Sequence, residues 1–166
     1  MEKKLPLEEM SISDVYVKSQ YVVTYKIPVY QRNYAWEEEQ ITALIKDVYD
    51  SWQKNPSAPY YIGTLVTYKC NDREYEVIDG QQRLTTIYLI IKALGIKDIK
   101  NKLTYSARST STSTIMRLNE DLELRDEADA GIRNGYGYAK KALEAIVLSD
   151  ERDGFQEYFL QHVKLI

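Results

Sequence analysis

The chain has 166 residues, of which 28% are charged and 44% hydrophobic, and a net charge of −3. Such a length suits one domain with a core of useful size, and the composition is that of a globular protein rather than a disordered or fibrous one. The slight acidic excess excludes a global field that would draw the chain to nucleic acid or an anionic membrane, so any DNA contact is expected to be indirect or local.

From Tyr16 to Ile27, the residues Val22, Val23, Tyr25 and Ile27 predict an extended segment that ends at Pro28. Gln40 to Trp52 predicts a helix, because Ile41, Leu44, Ile45, Val48 and Trp52 share one face. Glu37, Glu38 and Glu39 lie in its first turn, where negative charge suits the helix dipole, a simpler account of the triplet than a metal site. Asn55-Pro56-Ser57-Ala58-Pro59 is a loop, since no helix crosses two prolines so placed. Tyr60 to Tyr68 predicts one strand, turned by Asn71-Asp72 into a second from Glu74 to Ile78. Gly80 then supplies the positive φ of a sharp turn. Leu84, Ile87, Tyr88, Ile91 and Leu94 predict a helix over Gln82–Leu94 that Gly95 closes. Leu89 and Ile90 make that helix apolar around most of its circumference, so it is expected to be the central buried one. Thr104 to Thr114 reads as a surface segment, either a solvated loop or one ordered by a partner. Asp121 to Asp129 reads as acidic and solvent-facing, followed by Gly131, Gly135 and Gly137. Ala139, Ala142, Leu143, Ile146 and Val147 predict a helix from Tyr138, and Phe155, Tyr158, Phe159, His162 and Ile166 another that runs to the last residue. The apolar face of that last helix ends without a cap, so it is expected to be unpaired or used in self-association.

The chemistry concentrates in Asp79-Gly80-Gln81-Gln82-Arg83-Leu84-Thr85-Thr86. Arg83 falls in the first turn of the predicted helix, where a cation opposes the positive end of the dipole. Two partners answer that conflict. One is Asp79, four residues earlier; the other is a phosphate, which would also take the helix's free N–H groups and match a guanidinium bidentately. Asp79 suits a magnesium or water ligand, and equally an N-cap. The amides of Gln81 and Gln82 can orient a water. The hydroxyls of Thr85 and Thr86 reach a phosphate or metal, or bond back to their own helix. Tyr30, Tyr34 and Trp36 stack on a base or fill the core, with Trp36 favoured as a packing staple ahead of its helix.

The eight residues from Asp79 to Thr86 resemble the signature of the GmrSD-type N-terminal domain of modification-dependent restriction systems. Three further stretches are similar to the same family, in its order: Ile27-Pro28-Val29-Tyr30-Gln31-Arg32-Asn33-Tyr34-Ala35-Trp36, Tyr61-Ile62-Gly63-Thr64-Leu65-Val66, and more weakly Leu103-Thr104-Tyr105-Ser106-Ala107-Arg108. The resemblance implies an α/β (α+β) fold of the ParB and sulfiredoxin-like superfamily, a small mixed sheet packed by helices over residues 1–100. A mainly helical part over 101–166 follows, truncated relative to full-length members. It also implies nucleoside triphosphate binding and Mg²⁺-dependent hydrolysis, with Asp79, Gln82 and Arg83 catalytic and Asp79 holding the Mg²⁺. Gln31, Arg32, Tyr34, Gly80, Gln81, Arg83, Thr85 and Thr86 would then bind nucleotide, Arg32 as a second phosphate ligand. Read from the residues alone, Arg32 equally covers Trp36 or Tyr34 by a cation–π contact. The alternative is a non-catalytic, nucleotide-responsive regulator or protein-interaction domain.

Family members continue into an Asn-x-Arg-Gly segment and an HNH-type nuclease domain, which this chain lacks, so a nuclease domain or subunit is expected as a partner. Gln81 and Gln82 fill the part of the turn where a sulfiredoxin carries its cysteine, which argues against sulfinic acid repair. His162 and Cys70 are the only histidine and cysteine, too few for a protein-built zinc site, and His162 reads as a packing residue. There is no Gly-x-Ser-x-Gly elbow and no Gly-x4-Gly-Lys-Ser/Thr loop. A single cysteine, no membrane-length apolar run and no signal-peptide core after Met1-Glu2-Lys3-Lys4-Leu5 together place the expected location in the cytoplasm.

Overall fold

A computed structural model describes residues 8–18, 22–28, 34–97, 99–106, 109–120 and 129–166. Among them the chain forms two mixed sheets and six α-helices, an α+β architecture as expected. The larger sheet has the order β4 (Val66–Asn71), β5 (Glu74–Asp79), β2 (Thr24–Ile27), β6 (Lys102–Tyr105). Its β4 and β5 are antiparallel, whereas β5, β2 and β6 run parallel. The smaller sheet has the order β1 (Met10–Ser11), β7 (Val163–Leu165), β3 (Tyr60–Gly63), with β7 antiparallel to β1 and parallel to β3. The helices are α1 (Ile12–Tyr16), α2 (Glu38–Lys54), α3 (Gln81–Ala93), α4 (Ser109–Asn119), α5 (Ala130–Ile146) and α6 (Arg152–Gln161). None of them is long and apolar enough to cross a membrane.

Alternation along the strands sets the core. Tyr25, Ile27, Val77, Leu103 and Tyr105 are buried on one side of the larger sheet, while Thr24, Lys26, Glu74 and Glu76 are half-buried on the other. Helix α3 is buried along nearly its whole length and packs on α5, which also packs on α2. It ends in a Schellman motif: Gly95 N–H donates to the Lys92 carbonyl at 3.0 Å and Ile96 N–H to the Ile91 carbonyl at 3.3 Å. Buried tyrosines contribute area and then dispose of their hydroxyls inside the protein. Tyr16 donates to the Leu84 carbonyl at 2.8 Å and Tyr25 to the Val15 carbonyl at 3.1 Å, with the Tyr16 ring lying between Tyr25 and Tyr88.

Several expectations are corrected. Among the described residues of the predicted extended segment from Tyr16, Thr24–Ile27 form the strand, and Tyr16 is helical because Ser11 and Asp14 form a capping box that starts α1. The single strand Tyr60–Tyr68 is two strands in different sheets, broken after Gly63, whose φ is 142°. Among the described residues of Thr104–Thr114, Thr104 and Tyr105 belong to β6 and Ser109 to Thr114 to α4, where a loop was expected. Tyr105 ends β6, and the Thr112 hydroxyl bonds both the N–H and the carbonyl of Tyr105 at 3.0 Å, so α4 docks on the strand that precedes it. The glycines after residue 130 lie inside α5, which begins eight residues before Tyr138 and is N-capped by Asp129. Residues 121–128 of the acidic stretch lie outside the described residues. The last helix stops at Gln161, and β7 inserts between β1 and β3. Phe159 and Val163 are thereby 1% and 0% exposed, so the apolar face expected to be unpaired is core from Phe155 to Phe159, and Ile166 alone of its apolar residues is exposed.

Candidate functional site

The parallel strands β2, β5 and β6 end at Ile27, Asp79 and Tyr105, on one edge of the larger sheet. Ligands of open α/β sheets bind outside the carboxyl ends of such strands. The Asp79–Arg83 turn lies on that edge, between the last residue of β5 and the first turn of α3.

Gly80 occupies the N-cap position of α3 with φ 97° and ψ 14°, a left-handed conformation that suits a residue without Cβ. Space imposes the same choice, because a Cβ there would lie 2.9 Å from the Thr64 carbonyl oxygen. Asp79 is therefore not the N-cap. Its Oδ1 accepts the N–H of Gly80 at 2.9 Å, and the residue is exposed. The first N–H groups of α3 have no intrahelical acceptors, and Gly80 brings no side chain to cap them. Gln81 is half-buried in the same turn.

Arg83 does not pair with Asp79. Its Nη1 donates at 3.0 Å to the Thr64 carbonyl in the connection between β3 and β4. In the sequence that connection is marked only by Gly63, since a glycine inside a strand-like run signals a break or a close backbone approach.

The remaining side chains of the signature serve the interior. Gln82 is 8% exposed, and its Oε1 accepts the N–H of Ala35 at 2.8 Å, which occupies the amide expected to act in catalysis. Thr85 is fully buried against Tyr105, hydroxyl to hydroxyl at 2.6 Å. The Thr86 hydroxyl donates to the Gln82 carbonyl and meets the Tyr34 hydroxyl, both at 2.8 Å. Neither threonine presents its hydroxyl at the turn. Tyr34 is 4% exposed, and its ring packs where Gly135 of α5 leaves room, so it fills the core rather than offering a face to a base. Burial pushes the Tyr34 phenol up to about 12, against the opposing effect of the Thr86 bond. Trp36 is half-buried against the core, just ahead of Glu37 at the N-cap of α2. His162 stacks on Tyr158 with ring centroids 5.4 Å apart. Gln31 and Arg32 lie outside the described residues, as do Tyr30 and Arg108. The flanks of the first pair are placed: Pro28 follows β2, and Tyr34 and Ala35 are bonded to the first turns of α3.

Among the described residues no group of three or more His, Cys, Asp or Glu side chains could hold a metal. Asp79 stands as one exposed carboxylate at the turn. That set suits Mg²⁺ shared with phosphate oxygens and water, and does not suit a cage built from protein ligands alone.

The family described as "GmrSD restriction endonuclease, N-terminal domain" matches residues 12–166. Among curated proteins, none matches the chain.

Proposed function

Because the chain belongs to the family of GmrSD restriction endonuclease N-terminal domains, it takes part in a restriction system, and we propose that it does so by binding a nucleoside triphosphate at the Asp79–Arg83 turn. The observation that carries this reading is the N-terminus of α3, capped by a left-handed glycine and no side chain, with Arg83 in its first turn. Backbone N–H groups and the helix dipole there favour an anion, and a guanidinium that opposes the dipole gains most when an anion sits beside it. Rigid support is present, since the strand and helix that carry the turn are both part of the core.

In this reading the phosphates lie on the first-turn N–H groups of Gln81 and Arg83 and on the Arg83 fork, the Gly80 N–H being held by Asp79. Arg32, with Gln31, is a second phosphate contact by family resemblance. Asp79 would hold Mg²⁺, which supplies charge neutralisation to the triphosphate when bound. Gln81 is the amide left to orient a water, because Gln82 is bonded to Ala35. The engagement of Gln82, Thr85 and Thr86 inside the fold favours a second reading: the domain binds nucleotide and responds to it without turnover. A nuclease domain or subunit would then receive the signal and make the DNA contact.

Calorimetric titration of four nucleoside triphosphates, with and without Mg²⁺, together with phosphate release, tests both readings. Arg83→Ala should bind triphosphate more weakly by about 1.5–3 kcal/mol, roughly ten- to a hundredfold. Binding without phosphate release selects the regulator. No binding by the unaltered chain, or equal affinity in Arg83→Ala, refutes the site.

A further inference from the structure

We propose that Gly63 is a positioning residue for this anion site, an inference that rests on the nucleotide reading above. Gly63 is the last residue of β3, with φ 142°. A Cβ built on it would lie 2.5 Å from Cζ of Arg83 and 2.8 Å from both Nε and Nη1. The missing side chain is therefore the space in which the guanidinium lies. The next residue fixes it there, since the Thr64 carbonyl accepts from Arg83 Nη1 at 3.0 Å.

The short connection that carries both residues touches the rest of the turn as well. The Thr64 carbonyl oxygen and the Leu65 Cα would be 2.9 and 3.4 Å from a Cβ on Gly80, and Val66 pairs with Asp79. On its far side the connection is held by the C-terminal strand: Ile166 N–H donates to the Gly63 carbonyl at 3.1 Å, and Leu65 N–H to the Ile166 carbonyl at 3.0 Å. Gly63–Leu65 is thus a shelf, pinned on one side by the backbone after β7 and bearing Arg83 on the other. One of the five N–H donors of the guanidinium is used on the shelf, and the fork is set before any ligand arrives. A side chain immobilised in advance loses less freedom on binding, which strengthens the bound state. Gly63 touches no ligand in this account and acts through Arg83.

The test measures triphosphate affinity and thermal stability for Gly63→Ala, Arg83→Ala and the double variant. Gly63→Ala should bind about tenfold more weakly, the scale of one charge-assisted bond. The double variant should bind no more weakly than Arg83→Ala alone, because both changes remove the same placed fork. Gly95→Ala is the control for backbone strain: its φ is 82°, and a Cβ there meets nothing within 4 Å. It should lower the melting temperature and leave affinity unchanged. Gly63→Ala with Arg83→Lys should recover part of the affinity lost in Gly63→Ala, since an ammonium is slimmer than a guanidinium. Should Gly63→Ala be strongly destabilised, the double variant should be the more stable of the two, because the overlap with the guanidinium is gone and only the backbone strain at φ 142° remains; a double variant no more stable than Gly63→Ala overturns the proposal. Wild-type affinity in Gly63→Ala, or additive losses in the double variant, overturns it too. Those results differ from failure of the nucleotide reading, in which the unaltered chain binds no triphosphate.

Discussion

Tyr34→Phe tests how Tyr34 is seated in the core. The substitution removes the hydroxyl that meets Thr86 Oγ1 at 2.8 Å and keeps the ring that packs against α5. Near pH 8 the loss should cost about 1 kcal/mol, the net value of one hydrogen bond, because Thr86 retains its bond to the Gln82 carbonyl. The phenol of Tyr34 is raised from 10.0 to about 12 by burial. A group with a raised folded pKa contributes stability that is present below its unfolded pKa and is lost as pH climbs toward the folded value. The unaltered protein should therefore lose about 1.4 kcal/mol from Tyr34 by about pH 11, and about 2.3 kcal/mol by about pH 12. Phenylalanine does not ionise, so the variant escapes that loss. Its deficit should shrink from about 1 kcal/mol near pH 8 to zero or a slight advantage near pH 11. The other buried tyrosines titrate in both proteins and largely cancel in the difference. Urea unfolding of both proteins at the two pH values measures it. A deficit that stays constant between them would mean that the Tyr34 hydroxyl is in water and not on Thr86.

Asp79→Ala should leave stability within about 0.5 kcal/mol, because among the described residues the exposed carboxylate bonds the adjacent Gly80 N–H and does not cap α3, yet it should remove the magnesium-dependent part of triphosphate affinity; titration with and without Mg²⁺ reads this, and an unchanged magnesium effect excludes Asp79 as the ligand. Gly131→Ala should destabilise by about 1–3 kcal/mol through overpacking, since its Cβ would meet the Tyr34 carbonyl oxygen. A melting temperature equal to that of the unaltered chain would show that Tyr34 is not seated on α5. Phe159→Ala should cost about 3–5 kcal/mol in chemical unfolding, and a loss below 1 kcal/mol would contradict the burial of that ring beneath β7.

The signature turn was legible because its determinants are local. Asp-Gly after an alternating run, then apolar residues at helical spacing, specify strand, reversal and helix within twenty residues, and the observed α3 and the left-handed Gly80 follow. Helix α2 was readable for the same reason, one buried face over Ile41, Leu44, Ile45 and Val48. Local reading failed where a distant surface decided the outcome. Gly131 and Gly135 weaken a helix by propensity, and α5 forms through them because Tyr34 needs their missing side chains. Ser111 and Thr112 read as loop, and lie in α4, where Asp129 and the Tyr105 carbonyl take their hydroxyls.

The elements that bear the turn, the positive φ at its glycine and the family to which the chain belongs all rest on neighbouring residues or on a contiguous motif. Tertiary structure alone decided which strands share a sheet, that the last residues form a strand rather than a helix end, and that Arg83 answers to Thr64 rather than to Asp79. The physical reason is one of range. Periodicity and backbone sterics act over a few residues, whereas pairing β7 with β3, or seating a guanidinium over Gly63, joins positions about twenty to a hundred residues apart and is settled only when the whole core packs.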